Sequence, residues 1–525
     1  MWNVDELFRN AVQQYPSRTA VIDAESRDRY SYSETDEIVD RIAAGLRSYG
    51  VSPGDRVTLT LPNVPEHVFL ALAVQRIGAV AVPFNFRVNP DKLRFFVNDA
   101  DPELLVFCEQ ISDGVLEQRK TLDCEKFVTT ADVDAAGVDS YEQLLQEPDP
   151  SAAESVDSDD LSIIQYSSGT TGKPKGIQLT HRVGVNRVFL NLHSQQPYDD
   201  DTMLGEIPLY HTIGFHANLL SMLATGGTYI PMPEFDPEVC LRLIYEENVT
   251  ALHAVPVMFK HMIHGREKMR EQRQESLGGT VTSFVHQFSQ RLGIFEGGPF
   301  ASIEFVTSSG APISEDLFQK IGDVIDPNYF YNTYGISEIF PPYSKVNLQD
   351  EDDPRIFSHA ESTRDLRIVE TGSNDPSSET AVGEEGELIV NEDCAGAFSG
   401  YWSDHDQASA TIIDGWYFTR DAAIETEKGH YVLTGRIDDR IKFVGENVYP
   451  ENIEAVLTDH PKVKMASVVG IEDEEYGEVP KAIVVADDLD ATELERYCAD
   501  SDALEDFKAP REYEFVDELT GAGPI

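Results

Sequence analysis

The chain has 525 residues, and 41% of them are hydrophobic, so it is long and apolar enough to form more than one folded domain. Its 93 acidic and 41 basic residues give a formal net charge of −52, and no basic stripe interrupts the acidic background. Nucleic acid is therefore not an expected partner. Dispersed carboxylates are typical of a solvated surface or of a protein adapted to molar salt, and we predict a halophilic source.

Cysteine usage and terminal composition favour a cytoplasmic protein. The five cysteines include no C-x-x-C pair, which predicts neither a disulfide framework nor a zinc site. Residues 1–7 lack the charged and apolar regions of a signal peptide. The most apolar run, residues 68–84, contains Gln75 and Arg76, so we expect no membrane-spanning segment.

The first 160 residues alternate between helical and strand patterns. Apolar spacing predicts helices over 36–49 and 65–77, and β-branched runs predict strands over 55–61 and 78–83. Such alternation is typical of βαβ units around a largely parallel sheet, so the fold class is α/β. An acidic connector at 151–160 then leads into another apolar strand.

Residues 166–176, YSSGTTGKPKG, follow that strand and combine serine and threonine hydroxyls with three glycines and two lysines. Backbone amides, hydroxyls and mobile positive charge together favour a polyphosphate-binding loop, whereas the alternative is a flexible surface turn. A P-loop is excluded because Gly169 and Gly172 are only three residues apart and Lys173 precedes Pro174. We expect an irregular loop that covers phosphates.

The remainder of the chain divides near residue 436. The arginine-rich segment 265–275 predicts an exposed helix rather than a partner site. Later patterns predict strands over 386–390, 415–419, 466–470 and 482–485, and a helix over 492–497. We place the domain boundary at 436–439, which divides the chain into domains 1–436 and 437–525.

Further patches carry nucleotide chemistry. Tyr334 offers an aromatic face for a base, Gly335 allows close approach, and Glu338 could hold Mg²⁺. Asp421 could accept both ribose hydroxyls, and Arg436 follows just before the boundary. A lone histidine in an apolar loop, His211, is by itself more often structural. In this order the patches describe one nucleotide site.

On these residues the chain resembles the adenylate-forming superfamily of acyl-CoA synthetases, luciferases and peptide-synthetase adenylation domains, and most closely the branch of acyl-CoA synthetases that includes fatty-acid–CoA ligases. Residues 166–176 match the signature loop of that family, residues 334–338 match its base-and-metal motif, and the resemblance extends to residues 508–510. It implies a large N-terminal domain of stacked mixed α/β subdomains plus a distorted barrel, with a small mobile α+β C-terminal domain.

The resemblance also implies a two-step reaction. A small-molecule carboxylic acid attacks the α-phosphate of ATP with Mg²⁺ present, and a thiol, usually CoA, then displaces AMP. The residues implied to bind the phosphates are Ser167, Ser168, Gly169, Thr170, Thr171, Gly172, Lys173 and Lys175, and those implied to bind adenine are Tyr334 and Gly335 beside Ser309, Gly310 and Ala311. Asp421 and Arg436 would bind the ribose, and Glu338 with Ser167 would bind Mg²⁺. His211 would contact the carboxylate, Asp438 would act as the hinge, and Lys442 would serve thioester formation.

The substrate and acceptor remain open at this stage. Fatty or aryl-type acids are the expected substrates, in a pocket between residues 211–216 and 308–312. A peptide-synthetase adenylation domain is disfavoured because no carrier sequence is attached. An adenylation enzyme for another thiol acceptor is an alternative, and a homodimer is compatible with the resemblance.

Two positions depart from the family pattern. After Gly523 the position of the family's C-terminal lysine holds Pro524, which has neither charge nor backbone donor, so we expect impaired adenylation. Whether this ending is natural or the result of a frameshift is open. A non-catalytic homologue that binds the nucleotide or acyl-adenylate is therefore a second hypothesis. Arg420 stands where the family usually has glycine, and we expect its side chain to face solvent.

Overall fold

The structure is a computed structural model. It describes residues 2–148, 155–167, 174–195, 200–276, 298–340, 345–348, 351, 353–359, 364–403, 411–443, 446–473, 477–486, 488–499, 501, 504, 508–517 and 519, while the side chains of 194–195, 271–276, 345, 446 and 477 are left out.

Twelve α-helices lie in the described part of the chain. They are α1 (Val4–Gln14), α2 (Tyr32–Ser48), α3 (Pro65–Arg76), α4 (Pro90–Ala100), α5 (Glu109–Gln118), α6 (His181–Gln195), α7 (Ser221–Thr225), α8 (Pro237–Glu246), α9 (Pro256–Ser276), α10 (Glu315–Val324), α11 (Pro450–Asp459) and α12 (Ala491–Ala499). A 3₁₀ turn at Tyr141–Leu144 and a π-helix at Ile213–Leu220 complete the helical elements.

The strands of the first half are β1 (Thr19–Ile22), β2 (Arg29–Ser31), β3 (Arg56–Thr60), β4 (Val80–Pro83), β5 (Leu104–Phe107), β6 (Phe127–Thr129), β7 (Asp139–Ser140), β8 (Leu161–Ser167), β9 (Lys175–Thr180), β10 (Thr202–Gly205), β11 (Thr228–Pro231), β12 (Ala251–Ala254), β13 (Phe305–Ser308) and β14 (Tyr329–Thr333).

Those of the second half are β15 (Lys345–Asn347), β16 (Ile356–His359), β17 (Leu366–Val369), β18 (Glu385–Asn391), β19 (Tyr401–Trp402), β20 (Ile412–Ile413), β21 (Trp416–Glu425), β22 (His430–Arg436), β23 (Ile441–Phe443), β24 (Glu446–Val448), β25 (Val463–Asp473), β26 (Gly477–Ala486) and β27 (Glu512–Phe515).

One eight-stranded sheet has the order β19-β9-β8-β4-β3-β5-β6-β7, and its strands from β8 to β7 run parallel. This confirms the parallel α/β pattern predicted from the alternating segments. Helix α2 begins at Tyr32, four residues before the predicted start, because Ser31 and Glu34 form a capping box ahead of the apolar stripe. Pro65 occupies the first turn of α3, where its missing N–H costs nothing.

A second eight-stranded sheet, β15-β14-β13-β12-β10-β11-β1-β2, brings the future site together. The strands β14, β13, β12, β10 and β11 are mutually parallel, so their carboxyl ends meet along one edge. Ligands of α/β sheets bind in the crevice outside such an edge. Residues that directly follow these strands, among them Glu206, Ser309 and Tyr334, are therefore neighbours in space.

The two remaining sheets are largely antiparallel and belong to the second half of the chain. One of them is a six-stranded sheet of β16, β22, β21, β18 and β17, with β20 attached to β21. It occupies the part of the chain for which the resemblance implies a distorted barrel. The other contains β23 to β27 and packs with α11 and α12 around its own core, including Ile453, Leu457 and Leu494. Strand β22 ends at Arg436 and β23 begins at Ile441. The boundary between the two predicted domains stays a prediction.

A continuous core joins the two large sheets. It includes Phe8, Tyr32, Phe215 and Tyr401, each almost completely buried. Within the described residues, no helix has both the length and the apolar character needed to cross a bilayer. The charged segment over 265–275 lies in α9, which confirms its predicted helical structure.

Candidate active site

The predicted phosphate loop connects two antiparallel strands. Strands β8 and β9 pair from Leu161 and Thr180 to Ser167 and Lys175, so the loop begins and ends at adjacent points of a hairpin. The predicted residues Ser168, Gly169, Thr170, Thr171, Gly172 and Lys173 lie outside the described residues, as does the segment 520–525 with Pro524. Ser167 Oγ is buried and has no hydrogen-bond partner within the described part of the chain.

Tyr401 connects this hairpin to the predicted metal carboxylate. Strand β19 pairs with β9, which places Tyr401 opposite Ile177. The Tyr401 hydroxyl donates to Glu338 Oε1 at 2.9 Å, and Lys175 Nζ lies 5.1 Å from the centre of the Tyr401 ring. Burial raises the pKa of this phenol, so it remains a donor. The structure thus joins Lys175 and Glu338 through a residue that sequence reasoning missed.

The oxygen atoms near this hairpin suit a divalent cation. Magnesium prefers one or two carboxylates, substrate phosphates and water. Glu338 retains a second carboxylate oxygen beyond the one bonded to Tyr401, and the Ser167 hydroxyl, which has no partner among the described residues, belongs to the adjoining hairpin. These residues therefore fit Mg²⁺.

The predicted base and ribose residues form a chain of hydrogen bonds. The Tyr334 hydroxyl donates to Asp421 Oδ2 at 2.6 Å, and Arg436 Nη1 donates to Asp421 Oδ1 at 2.7 Å. The direct opposition of Asp421 and Arg436 on antiparallel β21 and β22 explains this contact. Burial raises the pKa of Asp421, whereas Arg436 and the Tyr334 bond oppose the shift. Each carboxylate oxygen keeps lone-pair capacity for a ribose hydroxyl.

The turn after β13 lies beside this group. Ser308 at the end of β13 pairs with Asn332 of β14, just before Tyr334. Ser309 Oγ lies 3.0 Å from His253 Nε2, and Gly310 has a φ of 79°, which glycine adopts readily. The Ser309–Gly310–Ala311 turn is therefore fixed next to the segment that carries Tyr334 and Gly335.

A buried arginine fixes the backbone that carries Glu338. Arg187, on α6, donates to the carbonyl oxygens of Ser337 at 3.0 Å and Glu338 at 3.1 Å, and to Thr212 Oγ1 at 2.7 Å. Burial lowers its pKa to about 10, so it stays charged at neutral pH. Sequence reasoning missed Arg187, although one cation within the apolar face of a helix was a usable signal.

His211 lies two residues before the π-helix Ile213–Leu220, on the segment after β10. Its backbone N–H donates to the carbonyl of Pro208 at 3.0 Å, and burial lowers the pKa of its imidazole to about 4. The ring is therefore neutral at neutral pH. π-Helical turns are rare and often occur at functional sites.

The side chain of Arg420, which we predicted to face solvent, is 39% exposed, but its guanidinium also has carboxylate partners. Its guanidinium donates to Asp438 Oδ1 at 2.7 Å and lies 3.5 Å from Glu387 Oε2. Glu387 is fully buried, and a buried carboxylate requires a donor or a cation close by. Arg420 has a φ of 65°, the left-handed conformation that a glycine adopts without strain. The predicted hinge residue Asp438 is thus held by an ion pair.

Lys442 lies apart from this constellation. It is exposed on β23, where its backbone N–H donates to Glu478 Oε2 at 2.7 Å. Within the described residues the structure gives no contact between Lys442 and the group of Tyr334, Asp421 and Arg436. Its predicted role in thioester formation is not tested by this arrangement.

A cavity of about 620 Å³ adjoins the nucleotide residues. Ala311 and Pro312 form part of its wall, as predicted for the substrate pocket, but another part comes from Pro208 and Tyr210 rather than from residues 211–216. The reason is that Phe215 and His216 turn into the buried core on the π-helix. The C-terminal domain contributes Ala455, Met465 and Ala466, among other residues.

A family model described as AMP-binding enzyme matches residues 8–402, and one described as AMP-binding enzyme C-terminal domain matches residues 452–523. The chain belongs to the AMP-binding enzyme family. This confirms the family predicted from the two motifs at 166–176 and 334–338.

Relatives match this AMP-binding enzyme over nearly its full length. A 4-chlorobenzoate–CoA ligase from Arthrobacter sp is 29% identical over 98% of this chain and 91% of the relative. A feruloyl-CoA synthase from Amycolatopsis sp is 29% identical over 94% of this chain and 92% of the relative. The solved structure of an anthranilate CoA ligase in complex with anthranoyl-AMP superposes with a TM-score of 0.83 at 18% identity, covering 99% of this chain and 94% of that one.

The structural match confirms the predicted fold, a mixed α/β molecule with a large N-terminal and a smaller C-terminal domain. The family match, with relatives named as CoA ligases, confirms the predicted enzyme class, an AMP-forming acid–thiol ligase that uses ATP, Mg²⁺ and CoA.

Proposed function

We propose that this AMP-binding enzyme activates an aryl or fatty carboxylic acid with ATP, through an acyl-adenylate, and transfers the acyl group to CoA. The observation that carries the proposal is Asp421, a buried carboxylate held between Tyr334 and Arg436 beside the Glu338 segment. Two relatives are named for aromatic acids, 4-chlorobenzoate and the feruloyl group, which favours an aryl substrate.

In the first half-reaction the phosphate loop would hold the β- and γ-phosphates. Ser167 and Lys175 are at its two ends, and Lys175 carries the mobile positive charge. Mg²⁺, held by Glu338 with Ser167, would neutralise phosphate charge as pyrophosphate leaves. Arg187 acts indirectly, because it fixes the backbone of Glu338 and so the position of that carboxylate.

Nucleoside orientation would come from the hydrogen-bonded group. Asp421 accepts the ribose hydroxyls while Arg436 and Tyr334 hold its carboxylate in place, and adenine lies against Tyr334 and the turn Ser309–Ala311. Such preorganisation keeps the α-phosphate at a fixed distance from the acid, and positioning of this kind accounts for much of the acceleration of a displacement.

The acid would enter the cavity with its carboxylate at the wall formed by Tyr210, which directly precedes His211. Because the His211 imidazole is neutral, it can donate one hydrogen bond to the carboxylate without forming an ion pair with it. In the second half-reaction the C-terminal domain would rotate about Asp438, Lys442 would approach the site, and the CoA thiol would displace AMP from the acyl carbon.

The proposed location is the cytoplasm, because all five cysteines are free thiols and buried. Formation of a homodimer stays a prediction.

The test of the proposed function is carboxylate-dependent ATP–pyrophosphate exchange, with mass-spectrometric detection of acyl-CoA. A panel of benzoates, cinnamates and fatty acids is assayed in high KCl, which suits the predicted halophilic source. The matched control is Glu338→Gln, which keeps the shape but removes the charge proposed to hold Mg²⁺. The absence of both exchange and acyl-CoA with every acid would refute the proposal.

Position 524 supports a second candidate function, a non-catalytic binder of the nucleotide or acyl-adenylate. Pro524 offers no cation at the position that the resemblance assigns to a lysine. Pro524→Lys should raise pyrophosphate exchange by about 10²- to 10³-fold if that alignment is correct, since a preorganised charge is typically worth about 2.7–4 kcal/mol. AMP binding without exchange in both proteins would favour the binder, and strong exchange in the unmodified chain would exclude it.

A further inference from the structure

Glu206 directly follows β10, at the carboxyl edge of the parallel sheet, and lines the cavity. Glu206 is only 4% exposed, and neither of its carboxylate oxygens has a hydrogen-bond partner within the described part of the chain. Burial raises the pKa of this carboxyl to about 8. An unpaired buried carboxyl is costly, so its presence requires an explanation.

The surroundings of Glu206 do not supply one. Asn63 also lines the cavity, but its amide nitrogen donates to the carbonyls of Gly205 and Ile207, and its amide oxygen accepts from Leu209 N–H. The lining also contains the apolar side chains of Met232, Val255 and Met258. The cations Arg87 and Lys260 line the same cavity, and neither forms a hydrogen bond with Glu206.

The Tyr229 hydroxyl is close enough to interact electrostatically with Glu206, and it likewise has no hydrogen-bond partner among the described residues. Glu206 therefore brings unused hydrogen-bonding capacity to a largely apolar cavity wall, with the Tyr229 hydroxyl behind it.

We propose that Glu206 is a recognition subsite for an O–H or N–H donor carried by the acid substrate at a position remote from its reacting carboxylate. The inference rests on the proposed function, because it takes the cavity as the acid pocket. Ala311 belongs both to the turn beside the nucleotide residues and to the cavity wall, so an acid bound there extends from the nucleotide toward Glu206.

The chemistry of the carboxyl sets the ligand class. In either protonation state its oxygens accept a hydrogen bond, and in the neutral state it also donates one. A hydroxyl group matches the neutral form because it donates and accepts, whereas an ammonium group would pair with the ionised form. A halogen or a methyl group would leave the carboxyl unpaired, so such acids should bind more weakly.

The experiment compares matched acids on the wild-type chain, Glu206→Gln and Glu206→Leu. Benzoate, 4-methylbenzoate, 4-hydroxybenzoate and 4-aminobenzoate form one series, and hexanoate with 6-hydroxyhexanoate forms another. Equilibrium binding of each acid is measured by calorimetry, and kcat/KM is measured for acyl-CoA formation. Glutamine is the conservative variant because its amide still donates and accepts, whereas leucine removes both abilities at similar volume.

In the wild type we expect the preference for hydroxyl- or amino-bearing acids over their apolar partners to be about 10- to 100-fold, as expected when a buried polar group gains a partner. Glu206→Leu should abolish or invert the ratio, and Glu206→Gln should retain most of it. Comparison of 4-hydroxybenzoate with 4-aminobenzoate shows whether an O–H or an N–H donor is preferred. An unchanged ratio in Glu206→Leu would overturn the inference, because loss of a merely structural residue would lower the affinity and kcat/KM of both acids equally.

The two readouts separate this inference from the proposed function. Acyl-CoA formation without any donor preference in binding or turnover would leave the ligase proposal standing and reject the subsite. A donor preference in binding that depends on Glu206, without turnover of any acid, would support the subsite and reject the ligase proposal.

Discussion

Asp421 and Glu206 are both buried carboxylates near the nucleotide edge of the molecule, yet their surroundings differ. Asp421 accepts hydrogen bonds from Tyr334 at 2.6 Å and Arg436 at 2.7 Å. Glu206 has no such donor among the described residues. Burial raises the pKa of both groups, but at Asp421 a nearby cation opposes the shift, whereas at Glu206 it takes the pKa to about 8.

The difference separates two ways to build a binding group. A carboxylate with partners is preorganised, so its removal should cost stability and activity together. A carboxylate without partners lowers the stability of the ligand-free protein, and a bound ligand supplies the missing hydrogen-bond partner. Its removal should therefore raise stability while it changes specificity.

Among changes to these two carboxylates and the groups around them, the largest expected effect comes from Asp421→Ala. Loss of the ribose acceptor should lower kcat/KM for ATP by about 10²-fold, since hydrogen bonds to a charged group are worth about 1.5–3 kcal/mol each. The variant should also unfold at a lower temperature, because Arg436 loses its buried partner. Pyrophosphate exchange and thermal unfolding measure the two effects.

Asp421→Asn is the matched control. The amide oxygen can still accept from Tyr334, so most of the stability should return while the affinity for ATP stays reduced. If Asp421→Ala lowered stability but left the KM for ATP unchanged, the carboxylate would be a structural group and the proposed ribose contact would be wrong.

The sequence alone predicted Asp421 and Tyr334 as members of one site because they stand in motifs with specific spacing. Helix α3 and strand β3 were equally predictable, since their apolar periods and the proline at the start of α3 are local signals. In these cases the information lies within a short segment, so it survives without knowledge of the tertiary structure.

Tyr401, Arg187 and Glu206 could not be placed by such reasoning. Tyr401 reaches Glu338 only because β19 pairs with β9, a contact between segments more than two hundred residues apart. Arg187 acts on carbonyl groups about one hundred and fifty residues away. Glu206 had a local signal, one charge in the apolar run 203–209, but its unpaired state depends on all the walls of the cavity.

The next largest effect concerns stability without ligand. Near pH 5, where the Glu206 carboxyl is neutral, Glu206→Leu should raise the free energy of unfolding by about 1–3 kcal/mol, because it removes from an apolar wall a buried polar group that has no partner among the described residues. Glu206→Gln should give little or no gain, since its amide remains unsatisfied. Denaturant unfolding of the three proteins decides the matter, and a loss of stability in the leucine variant would mean that Glu206 has a structural partner.

The pH dependence sharpens the same comparison. The pKa of Glu206 is raised from 4.5 to about 8 in the folded state, so between these values the folded chain binds more protons than the unfolded chain. The stability of the wild type relative to Glu206→Gln should therefore fall as pH rises through this window and level off above it. Melting temperatures of both proteins from pH 5 to pH 9 test the sign, and parallel curves would contradict the raised pKa.

The smallest expected effect comes from Arg420, whose charge partners are one exposed and one buried carboxylate. Arg420→Lys retains a cation for Glu387 but cannot make the forked contact with Asp438. An ion pair of this exposure is worth about 0.2–1 kcal/mol, so we expect a change of about 1.4- to fivefold in the thioester-forming step if Asp438 is the hinge.

Single-turnover measurements of the two half-reactions provide the test of this last prediction. Adenylation is followed from acid and ATP, and thioester formation is followed from preformed acyl-adenylate and CoA. The matched control is Arg355→Lys, which alters a comparable contact with Asp353 far along the chain from the predicted hinge. Equal rates in both half-reactions for Arg420→Lys and Arg355→Lys would show that the Arg420–Asp438 pair does not restrain domain motion.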